Sequence, residues 1–258
     1  MSLSRSLTLG ALLCCSVTAA PLAAQERVLS FSVSGGAAVL PKYFGSDEYR
    51  VGPTGGLRFN GLQFGNVSLG TPGEATLFPL GGDFQGSLRF IPKREGKDEL
   101  EGLEDVKASL ELGFGARYTE ENWQVFGAVR YGVFGHNAIA GELGANVIYR
   151  APSGLIFSAG PRAEFGNGRF NRTYFGVTDD ESAASASGLQ PFRPSSGFHS
   201  IGLEADVYQP LSDNWGLTGG VRYDRLMGEA SDSPIVQQGS RNQFRAEIGL
   251  TRHFNLRF

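Results

Sequence analysis

Residues 106 to 118 read Val-Lys-Ala-Ser-Leu-Glu-Leu-Gly-Phe-Gly-Ala-Arg-Tyr. Val106, Ala108, Leu110, Leu112, Phe114, Ala116 and Tyr118 share one face, and Lys107, Ser109, Glu111, Gly113, Gly115 and Arg117 the other. A period of two is that of a β-strand with one apolar and one polar side. The rhythm returns over 123–133, 143–149, 155–165, 201–207, 215–223 and 244–258, and less regularly over 29–33, 49–59, 62–69 and 84–91. Short polar links separate these runs at 120–122, 151–154 and 211–214. Longer ones lie at 41–48, 92–104, 171–196 and 228–240, and Asn60-Gly61 predicts a tight hairpin.

The fold class is therefore all-β, an antiparallel transmembrane β-barrel whose apolar face meets lipid and whose polar face lines a lumen. Eleven runs are legible. Bacterial single-chain barrels have even strand numbers, so about twelve strands are expected, with ten as the alternative and 75–80 as the place for the missing one. With Phe258 at the periplasmic end, the long links at 92–104, 171–196 and 228–240 face outward and the short turns face the periplasm. Arg252 interrupts the apolar face of the last run and is expected to snorkel to the interface.

The N-terminus carries Arg5, an apolar run from about Leu7 to Val17, and small residues ending at Ala23-Ala24. This is the pattern of a secretory signal peptide, giving a signal over 1–24 and a barrel over 25–258. Both cysteines, Cys14 and Cys15, fall inside it, so the mature chain has neither disulfides nor cysteine metal sites. Across the whole chain 23 Lys and Arg stand against 26 Asp and Glu, a formal charge of −3. That is no basis for nucleic-acid binding. The expected location is the cell outer membrane, with its lipid as one partner. The 37 glycines and 19 phenylalanines suit bent strands and aromatic anchoring at membrane interfaces.

On the polar face, Glu111, Arg117, Arg130, Arg162, Glu164, Glu204, Asp206, Arg222, Arg245 and Glu247 are the charged residues expected in the lumen, with Glu142, Arg150 and Asp224 beside them. Two readings stand: charged walls of a selective pore, or ion pairs that fill and brace the barrel. Gly113, Gly115, Gly144, Gly160, Gly202 and Gly220 face the same way and leave room for residual space. On the loops, Tyr43, Phe44, Asp47 and Tyr49 form a candidate recognition surface; the alternative is a turn packed by its own aromatics. Asp179, Asp180 and Glu181 read as a solvated acidic run or a hard-cation site.

A hydrolytic enzyme needs a nucleophile, a base and an orienting group within hydrogen-bond reach. The histidines are His136, His199 and His253. His199-Ser200 is suggestive, but adjacent strand residues point to opposite faces. No cofactor motif is present, and no catalytic, metal or cofactor site is expected.

Three stretches together carry a resemblance: Pro41-Lys42-Tyr43-Phe44-Gly45-Ser46-Asp47-Glu48-Tyr49; Tyr174-Phe175-Gly176-Val177-Thr178, with Ser187-Gly188-Leu189 and Gly197 after it; and Gly228-Glu229-Ala230-Ser231-Asp232-Ser233-Pro234-Ile235-Val236. In this order, within a barrel pattern, the chain resembles the MipA/OmpV family (MltA-interacting protein). The resemblance implies an outer-membrane barrel without known catalysis. It also implies a scaffold role, since the founding member is described as linking a lytic murein transglycosylase to a bifunctional penicillin-binding protein. Other members are discussed as porin-like, adhesive or stress-responsive. The expected function is thus a non-enzymatic scaffold with a periplasmic murein hydrolase or synthase as partner; the alternative is a narrow porin-like channel for small solutes. Relatives tend to end at aromatic-x-Phe, whereas this chain continues from Phe254 through Asn255-Leu256-Arg257-Phe258.

Overall fold

The alternation of Ser109–Thr119 becomes a strand whose odd-numbered side chains turn inward and whose even-numbered ones turn outward in the computed structural model, which describes residues 27–70, 72 and 78–258. The expected signal peptide lies outside the described residues. Eleven strands form one antiparallel sheet: β1 (Arg27–Pro41), β2 (Tyr49–Phe64), β3 (Val67–Gly70), β4 (Gly81–Ile91), β5 (Ser109–Thr119), β6 (Trp123–Phe134), β7 (Ile139–Arg150), β8 (Ile156–Gly166), β9 (Gly197–Pro210), β10 (Trp215–Leu226) and β11 (Asn242–Arg257). Ladders join β4 through β11 in sequence order, and β11 pairs β1 from Val28↔Arg257 to Val39↔Ala246. The sheet thus curls into a nearly closed barrel. Its free edges, β3 and β4, approach each other. Both run away from the short-turn end, so they cannot be antiparallel neighbours.

The expected strand at 62–69 is instead the tail of β2, a turn at Gly65-Asn66, and the short β3. Gly65 takes a positive φ of 59° there, which suits the first position of a two-residue hairpin. Asn60-Gly61 is not a hairpin. The β1–β2 register shifts at this point, with Phe31 opposite Phe59 and Ser30 opposite Gly61, so Asn60 is an extra residue in a β-bulge and is buried. Of the stretch expected to hold a twelfth strand, Phe78–Leu80 is not a strand and 75–77 lies outside the described residues.

Outside, aromatics gather near both strand ends, as membrane interfaces favour. Near one end Tyr118 packs on Trp123 and Phe31 stacks on Phe254; near the other Phe165 meets Phe198 and Tyr223 meets Phe244. Arg252 lies over the rings of Trp215 and Phe254, 5.2 and 4.9 Å from their centroids, which is how the outer wall accommodates it. No helix of the described residues is long and apolar enough to cross a membrane; the strands do so.

The long loops are not loose. They form α1 (Gly168–Phe175), α2 (Asp179–Ala184), α3 (Gly228–Asp232) and α4 (Pro234–Gln238). Asn167 caps α1 by accepting from the Phe170 amide at 3.0 Å, and Thr178 with Glu181 makes a capping box for α2. These helices fold over the mouth and create a core of their own. Phe170, Tyr174, Phe175, Leu226, Ala230 and Val236 pack with Ile91, Ala138 and Ala140. Leu100, Leu103, Val177, Leu189 and Ile235 form a second cluster, with Tyr43 and Phe192 against it. Val106, expected to face lipid, precedes β5 and packs against the first cluster.

Candidate functional site: a braced lumen under a folded lid

The inward register brings most of the expected charged residues into one network. Arg222 on β10 is its hub. Its guanidinium reaches Glu142 on β7 at 2.9 Å, Glu164 on β8 at 2.9 Å, Glu204 on β9 at 3.3 Å and Asp224 on its own strand at 2.6 Å. Arg130 joins Glu111 at 3.0 Å and Glu142 at 3.3 Å. Arg162 joins Glu204 at 2.9 Å and Asn146 at 2.8 Å. Arg89 reaches Glu164 at 3.2 Å. The Arg222–Glu142, Arg222–Glu164 and Arg89–Glu164 bridges connect strands that are not neighbours in the sheet, so they cross the lumen rather than run along its wall. Charge-assisted hydrogen bonds of this kind are short and strong, and a guanidinium fork serves several carboxylates at once.

Three expected members sit apart. Arg117 makes a two-pronged bond to Asp83 at 2.6 and 2.7 Å on the adjacent strand. Arg245 and Glu247 pair with each other and with Thr54, and their side chains remain 48% and 37% exposed. Asp206 and Glu204 line a second cavity of about 320 Å³ in the other half of the lumen, with Arg58, Ser32 and Tyr208. Arg89, Asp83 and Phe126 were not among the expected lumen residues. The polar register of Gly81–Ile91 places Arg89 and Asp83 inside, and Arg162 lies 5.0 Å from the Phe126 ring.

The inward glycines expected to leave space are instead filled around. A Cβ on Gly144 meets the Phe126 ring at 2.3 Å, and one on Gly202 meets an Asp224 carboxylate oxygen at 2.3 Å. Gly144→Ala is therefore expected to lower unfolding stability by about 1–3 kcal/mol through overpacking. A urea titration read from the mobility shift between folded and unfolded barrel on a gel measures it.

The histidines fall in three places. The His136 Nδ1 accepts from the Ala138 amide at 3.0 Å, which leaves Nε2–H to donate to Glu111 at 3.1 Å. His253 joins Ser32 at 2.8 Å and Tyr208 at 2.8 Å, and Asn60 Nδ2 donates to Ser32 at 2.8 Å. This makes a buried belt between β1, β2, β9 and β11. His199 and Ser200 do not point to opposite faces. The β8–β9 register shifts between Glu164 and Phe165, which places Ser200 opposite Glu164 and Phe198 opposite Phe165. The bulge buries both side chains.

The four expected recognition residues are divided. Phe44 is half-buried in the lid core, with its ring 5.1 Å from Tyr174 and 6.2 Å from Phe170. Tyr43 packs on the second cluster and donates to Glu99 at 2.8 Å. Burial and this bond push the Tyr43 hydroxyl well above the usual tyrosine range. Burial likewise pushes Tyr174 up to about 12, and its hydroxyl donates to Ser109 at 3.1 Å. Asp47 is exposed on the loop, and Tyr49 is exposed at the start of β2.

The acidic run opens α2. Asp179 pairs with Arg193 at 2.5 Å, and among the described residues no group of three or more His, Cys, Asp or Glu is placed to hold a metal. Burial pushes the Glu181 carboxyl up. Bonds from the Thr178 amide and hydroxyl at 2.8 and 2.9 Å, and from the Glu104 amide at 3.0 Å, outweigh it and hold the group below its ordinary value. A lowered folded value means stabilisation that is complete above the ordinary glutamate value of about 4.3 and fades as pH falls through the lowered one. Amide protection over 178–186, measured as hydrogen exchange relative to the intrinsic rate at each pH, is expected to fall below about pH 4. In Glu181→Gln that protection is expected to be low already at neutral pH and insensitive to acid.

The family model described as MltA-interacting protein MipA matches residues 33–254. The chain belongs to that family. It is similar to the MltA-interacting protein of Escherichia coli K12, 28% identical over 158 residues, covering 58% of this chain and 60% of that protein. It is also similar to outer membrane protein OmpV of Vibrio cholerae, 25% identical over 164 residues, covering 62% and 60%. The chain thus spans less than two thirds of the curated relatives it matches. Among solved structures, OprG of Pseudomonas aeruginosa matches at 12% identity and a TM-score of 0.30, covering 88% of this chain and 97% of its own. Ail of Yersinia pestis matches at 11% and 0.27, covering 88% and 99%. This MipA-family chain is an outer-membrane β-barrel.

Proposed function

We propose that this barrel is a closed, non-enzymatic scaffold of the outer membrane. The observation that carries the reading is the double obstruction: ion pairs between non-neighbouring strands cross the lumen, and a lid with its own apolar core covers the mouth. Neither suits continuous solute flow, and both suit a rigid platform. The printed name of the Escherichia coli relative, MltA-interacting protein, supports a periplasmic murein-processing enzyme as partner. Among the described residues, such an enzyme meets the short-turn end of the barrel, at 65–66, 78–80, 120–122, 151–154 and 211–214. We assign the segment 1–24 as a cleaved export signal on the same reading.

Single-channel recording of the folded protein in a planar bilayer tests it. A quiet membrane is expected from protein that still shows the folded mobility on gels. Discrete, salt-dependent openings overturn it in favour of a narrow porin-like channel, with Arg130, Arg162 and Arg222 as the residues to neutralise. A photo-crosslinker at Asp213 is expected to capture a murein-processing enzyme, while one at the lid residue Gln190 captures none.

A further inference from the structure

Between the underside of the lid and the ion-pair layer lies a cavity of about 280 Å³. That is the lower edge of the size range of small-molecule sites. Its walls are of two kinds. Leu40, Ile91 and Leu226, with the rings of Phe44 and Tyr174, give apolar surface; Arg89, Arg94, Arg130 and Arg222, with His199, give donors.

The donors are not used up. Arg89 Nη1, Arg94 Nε, Arg130 Nη2 and both ring nitrogens of His199 are buried and have no hydrogen-bond partner, and every one of them belongs to a residue lining this cavity. Arg94 is 4% exposed. Its bonds go to the main-chain carbonyls of Tyr174 and Glu104, at 3.3 and 3.4 Å, rather than to a carboxylate. Guanidinium groups on the lining (Arg89, Arg94, Arg130, Arg222, Arg245) outnumber its carboxylates (Glu142, Glu164, Asp224). A buried donor without an acceptor is costly. The residues that carry these atoms, three guanidinium groups and one imidazole that in its neutral form donates from a single nitrogen, line one cavity beside aromatic surface and together describe a site for a molecule with an anionic end and an apolar body.

We propose that this cavity binds a small amphipathic carboxylate. The carboxylate accepts from the free donors of Arg89, Arg94, Arg130 and His199, and an aromatic or short aliphatic body lies against Phe44, Tyr174 and Leu226. The site goes beyond the scaffold reading and does not depend on it, since a plugged barrel and a conducting one both contain the chamber.

The test uses folded protein extracted from outer membranes in detergent, with 4-fluorobenzoate as probe followed by fluorine NMR. Overnight equilibration covers lid openings as slow as minutes to hours. The expected result is saturable binding displaced by benzoate and not by the uncharged benzamide. Arg94→Met, checked for folded mobility on gels, is expected to bind about tenfold or more weakly, as the loss of a charge-assisted hydrogen bond implies. Arg94→Lys, which keeps the charge, is expected to recover part of that loss. Leu226→Trp fills the apolar side and is expected to abolish binding, which keeps the test decisive if Arg94→Met fails to fold. Absence of saturable binding overturns the proposal. So does equal competition by benzamide, or undiminished binding by folded Arg94→Met or Leu226→Trp protein.

Discussion

Replacing Arg222 with Met is expected to destabilise the folded barrel by about 3–5 kcal/mol, the range for removing one partner of a buried ion pair. The residue touches Glu142, Glu164, Glu204 and Asp224 at once. Three of those carboxylates keep a second cation, Arg130, Arg89 or Arg162. Asp224 keeps no other salt bridge among the described residues, and all four remain in a lumen that has lost a unit of positive charge. Methionine restores packing volume but neither charge nor donors, so the loss measures electrostatics more than a cavity. Arg222→Lys keeps the charge without the fork and is expected to fall between. The control is Arg245→Met. Arg245 also pairs with a glutamate on the inward register, yet its side chain is 48% exposed, so its loss is expected to stay within about 1 kcal/mol. Urea midpoints from the gel mobility shift compare the three. Equal losses for Arg222→Met and Arg245→Met sink the claim that the central network, rather than lumen charge in general, braces the barrel.

That contrast marks what the sequence can and cannot convey. A period of two assigns a face, so Glu111, Arg130, Arg162, Glu164, Glu204 and Arg222 were legible as lumen residues from alternation alone. It does not assign a distance across the lumen. Which arginine meets which glutamate depends on barrel curvature and strand stagger, and Arg245 is indistinguishable from Arg222 in the pattern. Bulges defeat the rule locally. One at Asn60 turned an expected hairpin into a continuous strand with a buried amide, and one at His199 put two consecutive residues inside. Arg89 lies on the polar register of β4, in the N-terminal third, where the alternation is less regular than in the later strands.

The lid was hidden more deeply. Its helices are of 5 to 8 residues, too short for a 3.6-residue period to show. Its core is assembled from Phe44, Ile91, Phe170, Leu226 and Val236, which no local window contains together. Ser, Ala and acidic residues dominate the sequence between these anchors, so the segment from 171 to 196 reads as a solvated loop. The local signs of helix starts are the capping box at Thr178 and Glu181, the cap at Asn167, and Ser233 followed by Pro234.

The packing of the lid on the barrel rim gives the second large effect. Phe170 is fully buried at the centre of its first cluster. Its ring lies 4.7 Å from Tyr174, 5.2 Å from His199 and 5.3 Å from His136. Phe170→Ala removes the side chain that ties α1 to the barrel rim, and a buried Phe→Ala change costs about 3–5 kcal/mol. Because the lid helices pack on the strand ends and add nothing to the strand ladders, most of that cost is expected to fall on local opening rather than on global unfolding. Arg169 and Arg172 are exposed on the lid surface, so trypsin added to intact cells reports the opening. At 1.4 kcal/mol per factor of ten, the smaller figure predicts cleavage more than a hundredfold faster than in the unaltered protein. The gel-shift stability of the barrel is expected to change far less. The same variant separates the two obstructions. If the ion-pair layer alone suffices to close the lumen, Phe170→Ala stays silent in a planar bilayer although its lid is open; conductance appearing with this single change shows that the lid, and not the charged layer, holds the barrel shut.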